Sequence, residues 1–261
     1  MLHQQQLKKK RSLTSHVSEE ACAGLHPSGA ALGSIEKRVT GWYTRYCRKG
    51  EGKHQLMLSL TTLRDPQHRN FSRVHCGGTR IRSRWILTAA HCDESDLTVL
   101  EGRQPDTAIM RRIVEKVKYP GHDLMLLKLR RRTRSHGKTK AELPDLNCAT
   151  PPLGEEVDFF GSQDAYINQT GHMFSYNAGT LRCGKMEVCN CSTHYGNNRT
   201  FCGMALHVDG NAGDSGSGAL WNNKLYGVQV SGPITFNTGP THFMDLCNRP
   251  YRQWIFNTAE V

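Results

Sequence analysis

The sequence predicts an all-β protein closed by a C-terminal helix, and three observations carry that reading. Short apolar runs rich in Leu, Ile and Val recur from about residue 54 onward. Clusters of Gly, Pro, Asn or Asp separate them, as in sandwiches and barrels. No long amphipathic helix interrupts the series until the final stretch, RPYRQWIFNTAEV at 249–261.

Taken in chain order, residues 1–38 are polar and basic, without periodic apolar signal, and read as an extension rather than a packed unit. The runs HQLMLSL (54–60), RWILTAA (84–90), DLTVLEG (96–102) and DLMLLKL (123–129) read as strands, as does KLYGVQVSG (224–232). Between 130 and 148 the texture changes to a basic run and then to ELPDLNCATPPLG, which points to a linker between two halves, 39–140 and 141–261. In the final stretch Pro250 suits a first helical turn, and Tyr251, Trp254 and Ile255 fall on one face.

The chain has 261 residues, enough for one large all-β domain or two small ones. Hydrophobic residues at 37% and charged ones at 22% describe a globular chain and exclude a disordered one. No apolar run approaches the ~20 residues of a membrane span, so a soluble protein with no membrane partner is expected. The formal charge is +11, concentrated partly in LKKKR at 7–11 and RRRTRSHGKTK at 130–140. Two readings of these runs stand together: solvated surface, or a site for a polyanion such as a heparin-like sulfated sugar or an acidic protein. Nucleic acid is not expected, because no zinc-finger, zipper or RNA-binding pattern accompanies the charge.

Ten cysteines imply disulfides or metal. CNC at 189–191 and HC at 91–92 contain ligand types, but no second Cys-x-x-Cys pair follows at finger spacing. The reading is therefore disulfides, with no metal and no cofactor. Four glycosylation motifs, at Asn70, Asn168, Asn190 and Asn198, suit a secreted glycoprotein. The first thirty residues hold no apolar signal segment, so secretion implies a start mis-assigned at the 5′ end.

Chemistry centres on GNAGDSGSGAL at 210–220, where Ser215 sits among glycines behind an aspartate. By itself this is an ordinary turn. A serine hydroxyl becomes a nucleophile only when a base takes its proton and a carboxylate steadies that base. Of 13 histidines, His91 in WILTAAHC stands out. An apolar strand runs there into small alanines, and Cys92 could staple the turn to Cys76 in HCGG. Asp123 stands at the entrance of the apolar run DLMLLKL, where a lone carboxylate is costly unless hydrogen-bonded. Each alone has an ordinary reading, as a packed histidine or a strand-capping aspartate.

Together, in the order His, Asp, Ser, the three motifs resemble those of the chymotrypsin-like (trypsin-type) serine proteases over about 39–261. An α/β-hydrolase would show the order Ser, Asp, His, and Ser217 breaks its Gly-x-Ser-x-Gly elbow. The resemblance implies two antiparallel six-stranded β-barrels with a C-terminal α-helix. It makes His91 and Asp123, from the first barrel, and Ser215, from the second, a catalytic triad, with the Gly213 and Ser215 N–H groups as oxyanion donors. One such donor is typically worth about 3–4 kcal/mol. It implies a zymogen cut after Arg38, so that Val39 becomes a terminus paired with Asp214, although Trp42 replaces a family glycine. It implies Asp209 at the base of a pocket for Arg or Lys, walled by Gly232. Three departures touch that pocket: Asn211 replaces a cysteine, the tryptophan before Gly232 is lost, and Thr241 stands where trypsins have glycine.

The same resemblance pairs Cys76–Cys92, Cys191–Cys202, Cys148–Cys247 and Cys47–Cys183. Another family bridge has lost both members, to Val157 and Trp221, and Cys22 and Cys189 remain. His91 to Asp123 spans only 32 residues, which removes the trypsin calcium loop, so no calcium site and an open cleft rim are expected. The implied protein is a secreted monomeric endopeptidase acting on peptides. Its alternative is a catalytically silent homologue that binds polyanions or proteins through its basic surface.

Overall fold

The computed structural model describes residues 44–61, 74–104, 107–132, 139–168, 170–191, 195–196, 198–205, 209–210, 213–235 and 238–261. Fourteen strands and one α-helix are named among them. The first barrel contains β2 (Gln55–Leu60), β3 (Val74–Arg80), β4 (Trp85–Thr88), β5 (Leu97–Glu101), β6 (Ile109–Arg111), β7 (Ile113–Lys118) and β8 (Met125–Leu129). They form an antiparallel sheet in the order β6-β5-β2-β3-β4-β8-β7. Only Arg112 separates β6 from β7, and the two act as one bent strand whose ends pair with β5 and β8, closing the sheet on itself. Leu58, Ile86, Leu87, Val99, Leu126 and Leu127 have no exposure. β8 is apolar at consecutive rather than alternate positions because both of its faces are covered.

The second barrel contains β1 (Arg45–Tyr46), β9 (Glu156–Ile167), β10 (Met173–Cys189), β11 (Thr200–Met204), β12 (Gly218–Trp221), β13 (Lys224–Ser231) and β14 (Thr241–Asp245). The order is β1-β10-β11-β14-β13-β12-β9, and a further β9–β10 pairing closes a ring of six, with β1 as a two-residue flank. Each sheet is thus a barrel of six strands, counting the bent strand once. Val157, Phe159, Met186, Phe201, Ala219 and Phe243 fill the second interior, with Phe201 stacked on Phe243 at 5.3 Å.

Both ends of the described chain cross between barrels. β1 pairs with β10 through Arg45 with Cys183 and Tyr46 with Arg182, and the Cys47–Cys183 disulfide fastens it there. A division at 140/141 therefore leaves β1 with the first half by sequence and with the second by hydrogen bonds. At the other end, the helix α1 (Arg249–Ala259) carries Pro250 in its first turn. It presents Tyr251 and Ile255, both fully buried, to a cluster that also contains Leu126, Val228 and Val230. Tyr119 of the first barrel meets Tyr251 and Trp254 edge-on at 5.0 and 5.4 Å. Arg252 is buried too, because its guanidinium donates twice to the Pro144 carbonyl of the inter-barrel segment. Among the described residues no helix is long and apolar enough to cross a membrane.

Candidate active site

β4 ends against Ala89, which has no exposure, and the chain turns once through Ala90–Cys92. Cys92 is bonded to Cys76 of β3, so His91 sits on a turn stapled to the neighbouring strand. Asp123 follows a turn in which Gly121 takes φ +72, a left-handed conformation glycine adopts freely. The two residues meet twice. His91 Nδ1 lies 2.7 Å from Asp123 Oδ2, and the His91 backbone N–H donates to Oδ1 at 2.9 Å. Burial pushes the Asp123 carboxyl up, but the hydrogen bonds and charge of His91, with the Ala90 and His91 backbone N–H groups, outweigh it and hold the carboxyl below its usual range. A carboxylate on Nδ1–H leaves Nε2 as the basic nitrogen of the ring. The imidazole stays 40% exposed while the Asp123 side chain is 11% exposed, so the accessible end of the pair is the histidine.

Ser215 arrives from the second barrel. Its carbonyl accepts the Gly77 N–H at 2.7 Å and lies 3.7 Å from Cys92 Sγ, one residue from His91. This approach needs glycine on both sides. A Cβ on Gly216, whose φ is +86, would stand 2.1 Å from Thr88 Oγ1 and 2.4 Å from the Gly77 carbonyl oxygen. A Cβ on Gly77 would meet the Ser217 hydroxyl at 2.0 Å. Ser217, the residue that breaks the elbow pattern, therefore occupies room that Gly77 leaves. On the second-barrel side the Gly216 N–H donates to the Gln229 carbonyl at 2.7 Å and the Ser217 N–H to the Asp214 carbonyl at 2.9 Å.

Around this seam the structure brings some expected residues together and closes a space between others. Asp214 has no exposure, and one carboxylate oxygen accepts the Ser162 N–H at 3.0 Å. Arg38, Val39 and Trp42 lie outside the described residues, as do Cys22, Asn70, Asn211 and the basic stretches at 7–11 and 133–138. Asp209 is 1% exposed. The neighbouring Gly210 N–H donates to Thr241 Oγ1 at 3.0 Å. Gly232 sits so close to Gly210 that a Cβ on it would lie 2.2 Å from the Gly210 carbonyl oxygen, so the two backbones are in contact. Gly213 takes φ +96. A cavity of about 820 Å³ lies elsewhere. It is lined by His54, Lys53, Glu142, Asp158 and Phe160 among others, and no triad candidate reaches it.

The trypsin family profile matches residues 43–255 of this chain. The chain belongs to the trypsin family. It is similar to Trypsin-3 of Salmo salar, 27% identical over 88% of this chain and 96% of the relative. Granzyme F of Mus musculus is 28% identical over 74% of this chain and 82% of the relative. Among solved structures, neuropsin, a serine protease expressed in the limbic system of mouse brain, superposes with a TM-score of 0.66. It is 21% identical and covers 83% of this chain and 98% of its own, a likeness of fold.

Within this trypsin-family frame the structure adds residues that sequence reading missed. Asn198 Oδ1 accepts the Asp123 backbone N–H at 2.9 Å. Gln229, 1% exposed, has a buried Oε1 without a hydrogen-bond partner among the described residues, and its amide nitrogen borders Gly210. The only sequence signal for Gln229 is a polar residue between two valines of a buried strand. Asn198 gave none beyond its glycosylation motif. Two clusters of metal-ligand type occur among the described residues, Cys76 with His91 and Cys92, and Cys191 with Cys202 and His242. In both, the cysteine pair is closed as a disulfide, which removes the thiolates a metal requires. Cys148–Cys247 completes four disulfides among the described residues.

Proposed function

We propose that this trypsin-family chain is a serine endopeptidase with His91, Asp123 and Ser215 as its triad. The observation that carries the reading is the doubly bonded His91–Asp123 pair, at 2.7 and 2.9 Å, beside the backbone of Ser215. Ser215 Oγ attacks the peptide carbonyl carbon while its proton passes to His91 Nε2. The tetrahedral oxyanion takes hydrogen bonds from the Gly213 and Ser215 N–H groups. The C–N bond breaks, His91 protonates the leaving amine, and water hydrolyses the acyl ester by the same route reversed. Asp123 stays ionised and steadies the imidazolium.

The proposed activation is cleavage after Arg38, which frees Val39 to pair with Asp214. Supporting it, Asp214 is wholly buried and one of its carboxylate oxygens accepts the Ser162 N–H, an interior position where a paired cation is worth most. The Gly232–Gly210 contact in the uncut chain suits a pocket that opens on activation. Asp209, buried beside Gly210, then selects Arg or Lys at P1 through a charge-assisted pair. Secretion and a monomeric state fit the four disulfides among the described residues and the family. The exposed Arg130, Arg131 and Arg132 suit a polyanion.

The same wall contact, together with Thr241, favours a second reading, a catalytically silent homologue. A fluorophosphonate probe separates the two after limited proteolysis at Arg38. Labelling that disappears in Ser215→Ala supports the enzyme, and unlabelled activated wild type removes it.

A further inference from the structure

We propose that Asn198 of the second barrel, locked by the Tyr195 carbonyl, is a positioning residue for Asp123, holding it from across the inter-barrel cleft. The inference rests on the proposed triad and adds to it a support that neither motif nor family pattern pointed to. Asp123 belongs to the first barrel, yet its backbone N–H is held by Asn198 Oδ1 at 2.9 Å, 75 residues away. Asn198 is itself locked, since its side-chain Nδ2 donates to the Tyr195 carbonyl at 2.9 Å and its backbone N–H to the same oxygen at 3.2 Å. The amide is therefore used at both ends, one on the turn and one on Asp123. Burial, with the charge of Asp123 nearby, pushes the Tyr195 phenol up. Tyr195 is fixed in turn by packing on the buried cluster and by the ring of His242 at 6.2 Å.

The physical logic is one of direction. His91 contacts both carboxylate oxygens from one side, and a carboxylate held from one side can pivot about its own Cα–Cβ bond. Asn198 fixes the backbone from which that bond departs, and the Tyr195 carbonyl in turn fixes Asn198. Any relative shift of the barrels then reaches His91 through Asp123. The brace also assigns the Asn198-Arg199-Thr200 motif to structure, because a sugar on Nδ2 would intrude into a closed, partly buried turn.

The test uses the full chain cleaved after Arg38, with active serines titrated by fluorophosphonate before kinetics on an Arg peptide. Asn198→Ala removes the amide, and Asn198→Leu removes its polar atoms at nearly unchanged volume. The lost hydrogen bond predicts a fall in kcat per titrated site of about threefold to tenfold in each variant, with KM within about twofold. Asn198→Leu keeps the side-chain bulk and so reports even if Asn198→Ala folds poorly. Unchanged kcat in a folded Asn198→Leu or Asn198→Ala, or a loss confined to KM, overturns the brace while leaving the triad intact. A wild type that titrates no serine overturns the triad and the brace with it. Mass spectrometry adds an independent reading: Asn198 unmodified in the active protein is expected, and a glycan there in active protein refutes the assignment.

Discussion

The two halves of the candidate site differ in how finished they are. On one side, His91 and Asp123 are joined by two short hydrogen bonds, stapled by Cys76–Cys92 and braced from the second barrel. On the other, the segments expected to wall a substrate pocket touch, Gly232 against Gly210, and the adjoining Asp209 is buried. The difference follows from what holds each part. The first is anchored to β4 and β8, whose buried side chains leave no room to shift. The second hangs on the loops around Asp214 and Gly213, where a change of partner at one carboxylate can redirect the backbone. Under the proposed function, a protease assembled this way would keep its proton-transfer pair ready and its binding pocket conditional.

The strongest break of this comparison is Ser215→Ala in the chain cleaved after Arg38. Peptide turnover should fall by on the order of 10⁴-fold or more, while the melting temperature stays close to wild type. On the pocket side, Asp209→Ser should lower kcat/KM for an Arg peptide on the order of a hundredfold and leave a Phe peptide nearly unchanged, since only the charged pair is lost. Comparing Arg, Phe and Ala peptides measures it, and an undiminished Arg preference would remove the pocket assignment.

Between the halves lies the seam. Gly216→Ala places a Cβ 2.1 Å from Thr88 Oγ1 at φ +86, and a loss of about 3 kcal/mol in unfolding free energy is expected. Denaturant titration checks it, and an unchanged midpoint would show that the barrels can separate freely there.

The smallest effect sharpens the contrast from outside the site. Burial pushes the His54 imidazole down to about 4, below its ordinary value near 6.5. The unfolded chain thus binds the proton more readily, so stability rises with pH between about 4 and 6.5 and is complete above that window. Wild type should lose about 2 kcal/mol more than His54→Phe between pH 7.5 and pH 5. Parallel pH dependences for the two would mean that His54 is hydrated.

Sequence legibility followed the continuity of apolar runs. The strands read in advance, β2, β4, β5, β8 and β13, are buried on nearly every residue and rich in Leu, Ile, Val or Met, whereas β11, β12 and β14 are as buried but are short and carry Gly, Thr, Cys or His within them. β7, IVEKVK, escaped notice because it is largely exposed. β3 was read only as a cysteine motif, because its glycines serve the seam and not strand propensity. In α1 the marked face held at Tyr251 and Ile255, while the burial of Arg252 depends on a carbonyl 108 residues upstream.

The amino-acid order alone determined an all-β chain with a terminal helix, a cysteine set that closes into four described disulfides, and a histidine, an aspartate and a serine in a protease-like succession. These are local facts, written in side-chain type and spacing. How near Ser215 comes to the His91 turn, which barrel owns β1, and what stands behind Asp123 were decided only in three dimensions. Each depends on backbones from distant segments meeting at atomic contact, and no period or motif along a single strand encodes that distance.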